Sequence, residues 1–466
     1  MIRWIGVTAL LLCPRLFFAQ PADSAGVLEA ADFLEMVLNN HPAARRAGLL
    51  DARSAAYTRM MRGNFDPKLY SDLQQKFFKG DEYFTISESG IKAPLWYGIS
   101  LKGAYATASG GVLNPENKLP AGGQAVLGAG ISLIRGLVFD ERRAGVQQAR
   151  INTRMNEAEK RLLRNDLAME AITAYWEWSA AYAQLGMLEQ AVEAARRRQN
   201  GIVQSFLLGD KPAIDTLESF LVLQSREMEL NDAALIYQNT AIAVSGYLWD
   251  AQGNPLKITD MLRPSLPEKQ PEDVVKPDTV LARLGDAHPF LELTRQKIRL
   301  LETEQRLNRE QLKPRLDVEY NLLGDRWQFG DASAGWFGNY KWGLKLEYPL
   351  FTRKERGKLE LTAVKLLDTQ YELQQKYIDV ANKFRRYYAA YEITVRQLEL
   401  ARSMASDYEI LLAAEQQKFN IGESSIFLIN SREQKLIEAR LKSIKLNAEC
   451  MKLLAALQWS AGELAE

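Results

Sequence analysis

Only two histidines occur in 466 residues, and both precede proline: His41 in NNHPAARR and His288 in DAHPFLEL. A scarce imidazole is an ordinary candidate for a general base or a metal ligand. Such a site also needs a paired nucleophile or further ligands at matching spacing, and no cluster of His and Cys provides them. Of two cysteines, Cys13 falls in the leading apolar segment and Cys450 near the end, so removal of the leader leaves no disulfide framework and no Cys-based zinc site. No Walker-type phosphate loop occurs; Gly128-Ala-Gly130 sits in a strand-like alternation. Proline suits the first helical turn and pushes the residue before it out of helical geometry. His41 and His288 therefore read as two helix starts, and the chain reads as a non-enzyme with no catalytic residue, cofactor or metal site.

The elements behind those starts emerge from charge, prolines and periodicity. Lys plus Arg is 59 and Asp plus Glu is 58, a balance that favours no nucleic acid or other strongly charged partner. The first 20 residues, basic at Arg3 and apolar from Trp4 to Cys13, read as a secretory signal, with lipidation at Cys13 disfavoured by bulky Leu12. A buried N-terminal helix is the other reading of that segment. No further segment reaches the roughly 18 apolar residues of a spanning helix, so any membrane crossing must use strands.

Aligning the two His-Pro pairs exposes a tandem duplication. Each proline is followed 25 residues later by another, Pro67 and Pro314. GISLIRGLVFDERRAG from Gly130 resembles GLKLEYPLFTRKERGK from Gly343, and the same offset pairs Tyr175 with Tyr388, Trp178 with Tyr391, Phe206 with Phe419 and Gly209 with Gly422. Pro255, Pro264, Pro267, Pro271 and Pro277 mark the connector between the halves. Apolar positions Ala381, Phe384, Tyr388, Tyr391, Val395 and Leu398 step by 3 and 4, a coiled-coil seam on a helix over about 353–420. Its twin covers about 138–208, with Tyr175, Trp178, Tyr182, Leu185 and Val192 on the seam. Helices of this length would run roughly 100 Å at about 1.5 Å per residue. In each half two shorter helices (42–65 and 213–248; 289–313 and 424–460) match the long one in total length. Each half is thus expected to be a long antiparallel hairpin turning at Gly209 or Gly422.

Between the first short helix and the long one the period changes to 2. Leu316, Val318, Tyr320 and Leu322 alternate with polar residues, as do Tyr340, Trp342, Leu344 and Leu346, and both runs approach the ~10 residues of a membrane strand. Trp327, Trp336 and Phe337 suit an interfacial belt. KLYSDLQQKFF and AVLGAGISLI are the first-half counterparts. A soluble two-stranded ribbon is the competing reading. Four strands cannot close a barrel and open edges cannot face lipid, so a membrane role demands that several chains share one barrel: eight strands from two copies or twelve from three.

These halves, with their X-Pro helix starts, their order helix–strand–strand–long helix–turn–helix, and the turns FLLGDKPAIDTLES and FNIGESSIFLINSRE, resemble the TolC-type outer-membrane factors. The resemblance covers nearly the whole mature chain. It implies a mainly α fold with membrane β, in which tandem-duplicated long antiparallel helical hairpins accompany four β-strands per chain in a shared, trimeric, twelve-stranded β-barrel. It also implies an outer-membrane exit duct of a tripartite efflux or type I secretion system, its helical part in the periplasm, passively conducting cargo. Partners would be two further copies, outer-membrane lipid, a periplasmic adaptor and an inner-membrane transporter. Gly209, Asp210, Gly422, Glu423 and Ser424 would be the tip that meets the adaptor, and the eight alternating residues from Leu316 to Leu346 would face lipid. Family members often ring the periplasmic aperture with acids after the tip glycine. The matching positions are Asp215 and Glu218 in the first half but Leu428 and Ser431 in the second, so one repeat alone would supply the ring. The other reading of both acids is a solvated helix N-terminus, where the helix dipole favours them.

The expected organisation is a signal at 1–20, an N-terminal periplasmic segment at 21–41, a first repeat at 42–249 with strands within about 67–136, a connector at 250–287, and a second repeat at 288–466 with strands within about 315–348. The Pro67-to-Gly130 stretch exceeds its partner by 34 residues. SGIKAPLWYGISLKGAYATASG within it alternates, with Tyr97, Ile99 and Leu101 on one face. It is read as an external excursion, with extra barrel strands as the alternative. The rival to the duct is a periplasmic coiled-coil adaptor or scaffold, which should lack alternating strands between the helices of both halves.

Overall fold

A computed structural model describes residues 26–258, 262–265, 277–325 and 338–465. The leader with Cys13, much of the proline-rich connector and the proposed belt of Trp327, Trp336 and Phe337 lie outside the described residues. The elements run β1 (Gly26–Leu28), α1 (Ala30–Asn40), α2 (Pro42–Arg62), β2 (Lys68–Phe78), β3 (Asp81–Pro94), β4 (Ile99–Ser109), β5 (Gln124–Ser132), α3 (Glu141–Leu207), α4 (Ala213–Ser245), β6 (Leu262–Pro264), α5 (Pro277–Ala287), α6 (Pro289–Gln311), β7 (Arg315–Gly324), β8 (Tyr340–Glu347), α7 (Arg353–Asn420) and α8 (Ile426–Ala461). No described helix is long and apolar enough to cross a membrane.

The helix starts have one chemistry. His41 and His288 sit in extended conformation before Pro42 and Pro289. In each, the ring Nδ1 accepts from the backbone N–H two residues on, Ala43 or Phe290, both at 3.2 Å. The histidine side chain thus does the capping normally left to Ser, Thr or Asp. Accepting there requires a neutral ring. Burial, followed by the charges of Lys383 and Arg161, pushes His288 down to about 4, with the Ser460 backbone opposing. Burial also lowers His41, against the nearby carboxylate of Glu170.

The described chain forms two compact units, and α3 and α7 each contribute to both. One unit comprises residues to Met36, Ala171–Gln270 and Leu400–Ala448. In it β1 and β6 pair in parallel, joining the N-terminal segment to the connector. The fully buried Tyr175 holds this junction: its hydroxyl donates to Leu28 O at 2.7 Å, receives the Ser265 N–H at 3.0 Å, and its ring stacks on Phe33. Elsewhere in the unit, Leu188 of α3, Ala233 of α4 and Ile437 of α8 pack together, so the two repeats share a core.

The other unit comprises Val37–Glu170, Pro271–Glu399 and Glu449–Glu466. Here α2 lies along α3 through Ser54–Asn156 and Asp51–Lys160 bonds, and α6 lies along α7 through Asn308–Thr362 and Lys297–Glu372. Of the anticipated seam, Ala381, Phe384, Tyr391 and Leu398 are buried and Tyr388 and Val395 half-buried. Trp459 at the end of α8 ties back to α3: its Nε1 donates to Asp166 at 2.7 Å, its carbonyl accepts from Asn165, and Lys383 lies 3.3 Å over its ring.

The same unit holds a curled antiparallel sheet in the order β2-β3-β4-β5-β7-β8. It contains six strands, where four were expected. The additional 34 residues supply β3 and β4, which pair into the same sheet between β2 and β5. Tyr97 does not share a strand face with Ile99. It lies in the β3–β4 turn with φ of 61°, so the alternation read from sequence crosses a chain reversal.

Candidate functional site

Two sets of residues carry chemistry, one on the sheet and one at the helix turns. On the sheet, register assigns every side chain a face. Ladder pairs join Asp72 to Glu88, Lys92 to Lys102, Lys102 to Gly128, Gly128 to Asn321, and Asn321 to Lys341. Because facing partners point the same way, Lys68, Asp72, Lys76, Glu88, Lys92, Lys102, Asp317, Glu319, Lys341 and Lys345 share one face. Across β2, β3 and β4 that face is knitted by Lys102 Nζ to Glu88 at 2.7 Å and Tyr70 Oη to Glu88 at 2.6 Å.

The opposite face collects most of the apolar residues, with Phe84, Ile86, Val126 and Leu323 left on the charged one. Leu316 pairs with Leu346, Val318 with Leu344, Tyr320 with Trp342 and Leu322 with Tyr340, so all eight strand candidates share one side. Trp342 is 63% exposed, and Leu344, Leu346, Tyr340 and Tyr320 are exposed too, while Leu316, Val318 and Leu322 are half-buried. Leu69, Leu73, Ile91, Leu101 and Leu127 extend this face to the other strands, all exposed. Hydroxyls on this face bond to each other: Ser71 with Ser89 and Ser87 with Thr107, each at 2.8 Å. The sheet thus carries exposed leucine and tryptophan on one side and most of its charges on the other, a two-sided pattern of the kind membrane strands show.

The turns after α3 and α7 are the same object. Gly209 (φ 85°) donates its N–H to Phe206 O, and Asp210 donates to Ser205 O; Gly422 (φ 81°) and Glu423 donate in the same way to Phe419 O and Lys418 O. This is the Schellman pattern, in which the positive φ favours glycine. Lys211 lies 4.3 Å over the Phe419 ring, so the two turns adjoin. Gly209, Asp210, Gly422 and Glu423 are exposed, and Ser424 donates to Glu415 at 2.5 Å.

Asp215 and Glu218 lie half-buried in the first turns of α4. Glu218 accepts from Asn430 Nδ2 of α8 at 3.3 Å. Asn430 also accepts from Arg198 of α3, whose guanidinium grips Glu433 of α8 at 2.6 and 2.7 Å. A forked, charge-assisted pair of this kind is among the stronger polar links. Arg198, Asn430 and Glu433 were not singled out from sequence, since their pairings span 232 and 235 residues and no local pattern announces them.

Residues 284–463 match the outer membrane efflux protein family. No curated protein matches the sequence. Among solved structures, the chain is similar to the CmeC outer membrane channel of Campylobacter jejuni (12% identity, 93% of this chain and 86% of that one, TM-score 0.66). It is likewise similar to the outer membrane protein VceC of Vibrio cholerae (13%, 94% and 97%, 0.64). The open-state MtrE outer membrane channel of Neisseria gonorrhoeae also matches (12%, 94% and 89%, 0.67). At such identities the likeness is one of fold.

Proposed function

We propose that this chain, which carries an outer membrane efflux protein domain and has the fold of outer-membrane channels, is the exit duct of a tripartite efflux or type I secretion system. The observation that carries this reading is the two-faced sheet, whose open edges require further copies before it can lie in a bilayer. Three copies close the wall. The apolar face, with Tyr320, Tyr340, Trp342, Leu344 and Leu346, meets outer-membrane lipid, and the charged face lines water. The glycine turns form the periplasmic tip and meet an adaptor, through which an inner-membrane transporter supplies the energy. The duct itself conducts passively.

Asp215 and Glu218 line the aperture in this reading. A threefold ring of carboxylates in a narrow neck favours cations. Arg198 of α3 binds both Glu433 and Asn430 of α8, and Asn430 binds Glu218 of α4, so opening is a shift of packed helices that parts these bonds. Planar-bilayer recording of purified protein tests both levels. The protein should form channels, and replacing Asp215 and Glu218 together by alanine should raise conductance or reduce cation preference. No channels would reject the duct; channels unaltered by the double substitution would reject only the aperture role.

A further inference from the structure

The β3–β4 hairpin is in the middle of the sheet, and its position has a consequence for the size of the duct. β2 reaches β5 only through β3 and β4. The ladders on either side are continuous, from Lys68↔Lys92 to Lys76↔Phe84, from Thr85↔Ser109 to Pro94↔Ser100, and from Ile99↔Ile131 to Ala106↔Gln124. A wall that uses β2 must therefore include the hairpin. From Ser87 to Ala106 its side chains follow the partition of the other strands, while Phe84 and Ile86, towards the β2–β3 turn, fall on the charged face. Glu88, Lys92 and Lys102 share the charged face, Ile91 and Leu101 the apolar one, and the hydroxyls among the latter are paired. Over that span no charge stands on the apolar face, a segregation that a hairpin free in water would not need. At 14 and 11 residues the two strands are also long enough to span.

We infer that, on the duct reading above, each copy contributes all six strands, and three copies close an eighteen-stranded barrel. The number is compatible with closure. β2 and β8 are the first and last of six alternating strands, so β8 of one copy meets β2 of the next in the antiparallel sense used throughout the sheet. Diameter grows roughly in proportion to strand number, so the lumen is about half again as wide as a twelve-stranded one, in the range where porins keep an aqueous channel. The outer-membrane section then passes bulkier water-soluble cargo than four strands per copy would admit.

Cysteine labelling in lipid vesicles tests this, with the unaltered protein as blank. Lys92→Cys should react with a charged, membrane-impermeant maleimide, and Ile91→Cys with a lipid-soluble one only. Equal reaction of both with the charged reagent would put β3 outside the wall and overturn the inference. A second measurement uses Lys345→Cys on β8, full-length or with residues 79–123 replaced by a short glycine-containing turn. Graded polyethylene-glycol maleimides should reach the cysteine in the full-length protein up to a diameter about half again larger than in the shortened one. An identical cut-off would also overturn the inference. Failure of the unaltered protein to enter vesicles would instead sink the duct reading, and the barrel with it.

Discussion

His41 and His288 do their work as acceptors at helix starts, and that makes one of them sensitive to acid. His288 is pushed down to about 4 mainly by burial, while an unfolded chain keeps the ordinary value near 6.5. Between those values the unfolded chain binds the proton and the folded one does not. The stabilisation is therefore complete above pH 6.5 and falls as pH drops towards 4, by about 3 kcal/mol at most. Protonation would also cost Phe290 its N–H acceptor. The urea midpoint of detergent-solubilised protein, followed by circular dichroism from pH 7 to 4, should fall more steeply for the parent than for His288→Asn, which keeps a capping oxygen but does not titrate. Parallel curves would show that His288 contributes nothing to acid sensitivity.

At the scale of elements, the two turns test how far a repeated motif is set by backbone geometry. Gly422 has φ of 81°, and a Cβ placed there would touch nothing within 4 Å. Gly422→Ala should therefore cost about 1–2 kcal/mol through left-handed strain alone. Limited proteolysis should nick the altered turn faster, with total helicity unchanged, while Gly422→Asn, which tolerates that conformation, should lie between. Equal nicking of alanine variant and parent would mean the turn is held by its neighbours instead. The helices were legible because their signals are local: His-Pro at two starts, glycine at two stops, and a 3–4 apolar step between. Predicted and observed limits for the long second helix agree at 353–420. The strands were legible singly, since alternation is a property of a few adjacent residues. Their partners were not, because the alternation of Leu69, Ile91 and Leu101 is the same whether a strand stands in a wall or in a free ribbon.

For the whole molecule, the decisive quantity is the number of unpaired edges. Among the described residues, one copy leaves β2 and β8 without a partner strand, and unpaired backbone groups are not tolerated in hydrocarbon. The protein should be extracted only with detergent, run as a trimer by light scattering, and resist dissociation by sodium dodecyl sulfate until heated. A soluble monomer would reject the duct and favour the adaptor-like coiled coil. Duplication, helical hairpins, glycine turns and two-faced strands were determined by the sequence itself, because each follows from the spacing of neighbouring residues. The tertiary structure decided which strand stands beside which, and that Arg198 grips Glu433 and Glu218 meets Asn430. The polar links join residues more than two hundred positions apart, which only the packed chain brings together. The β2-β3-β4-β5 neighbours are close in sequence, but alternation alone does not name their partners. Among those choices is the one that sets the width proposed for the duct: β3 and β4 lie between β2 and β5.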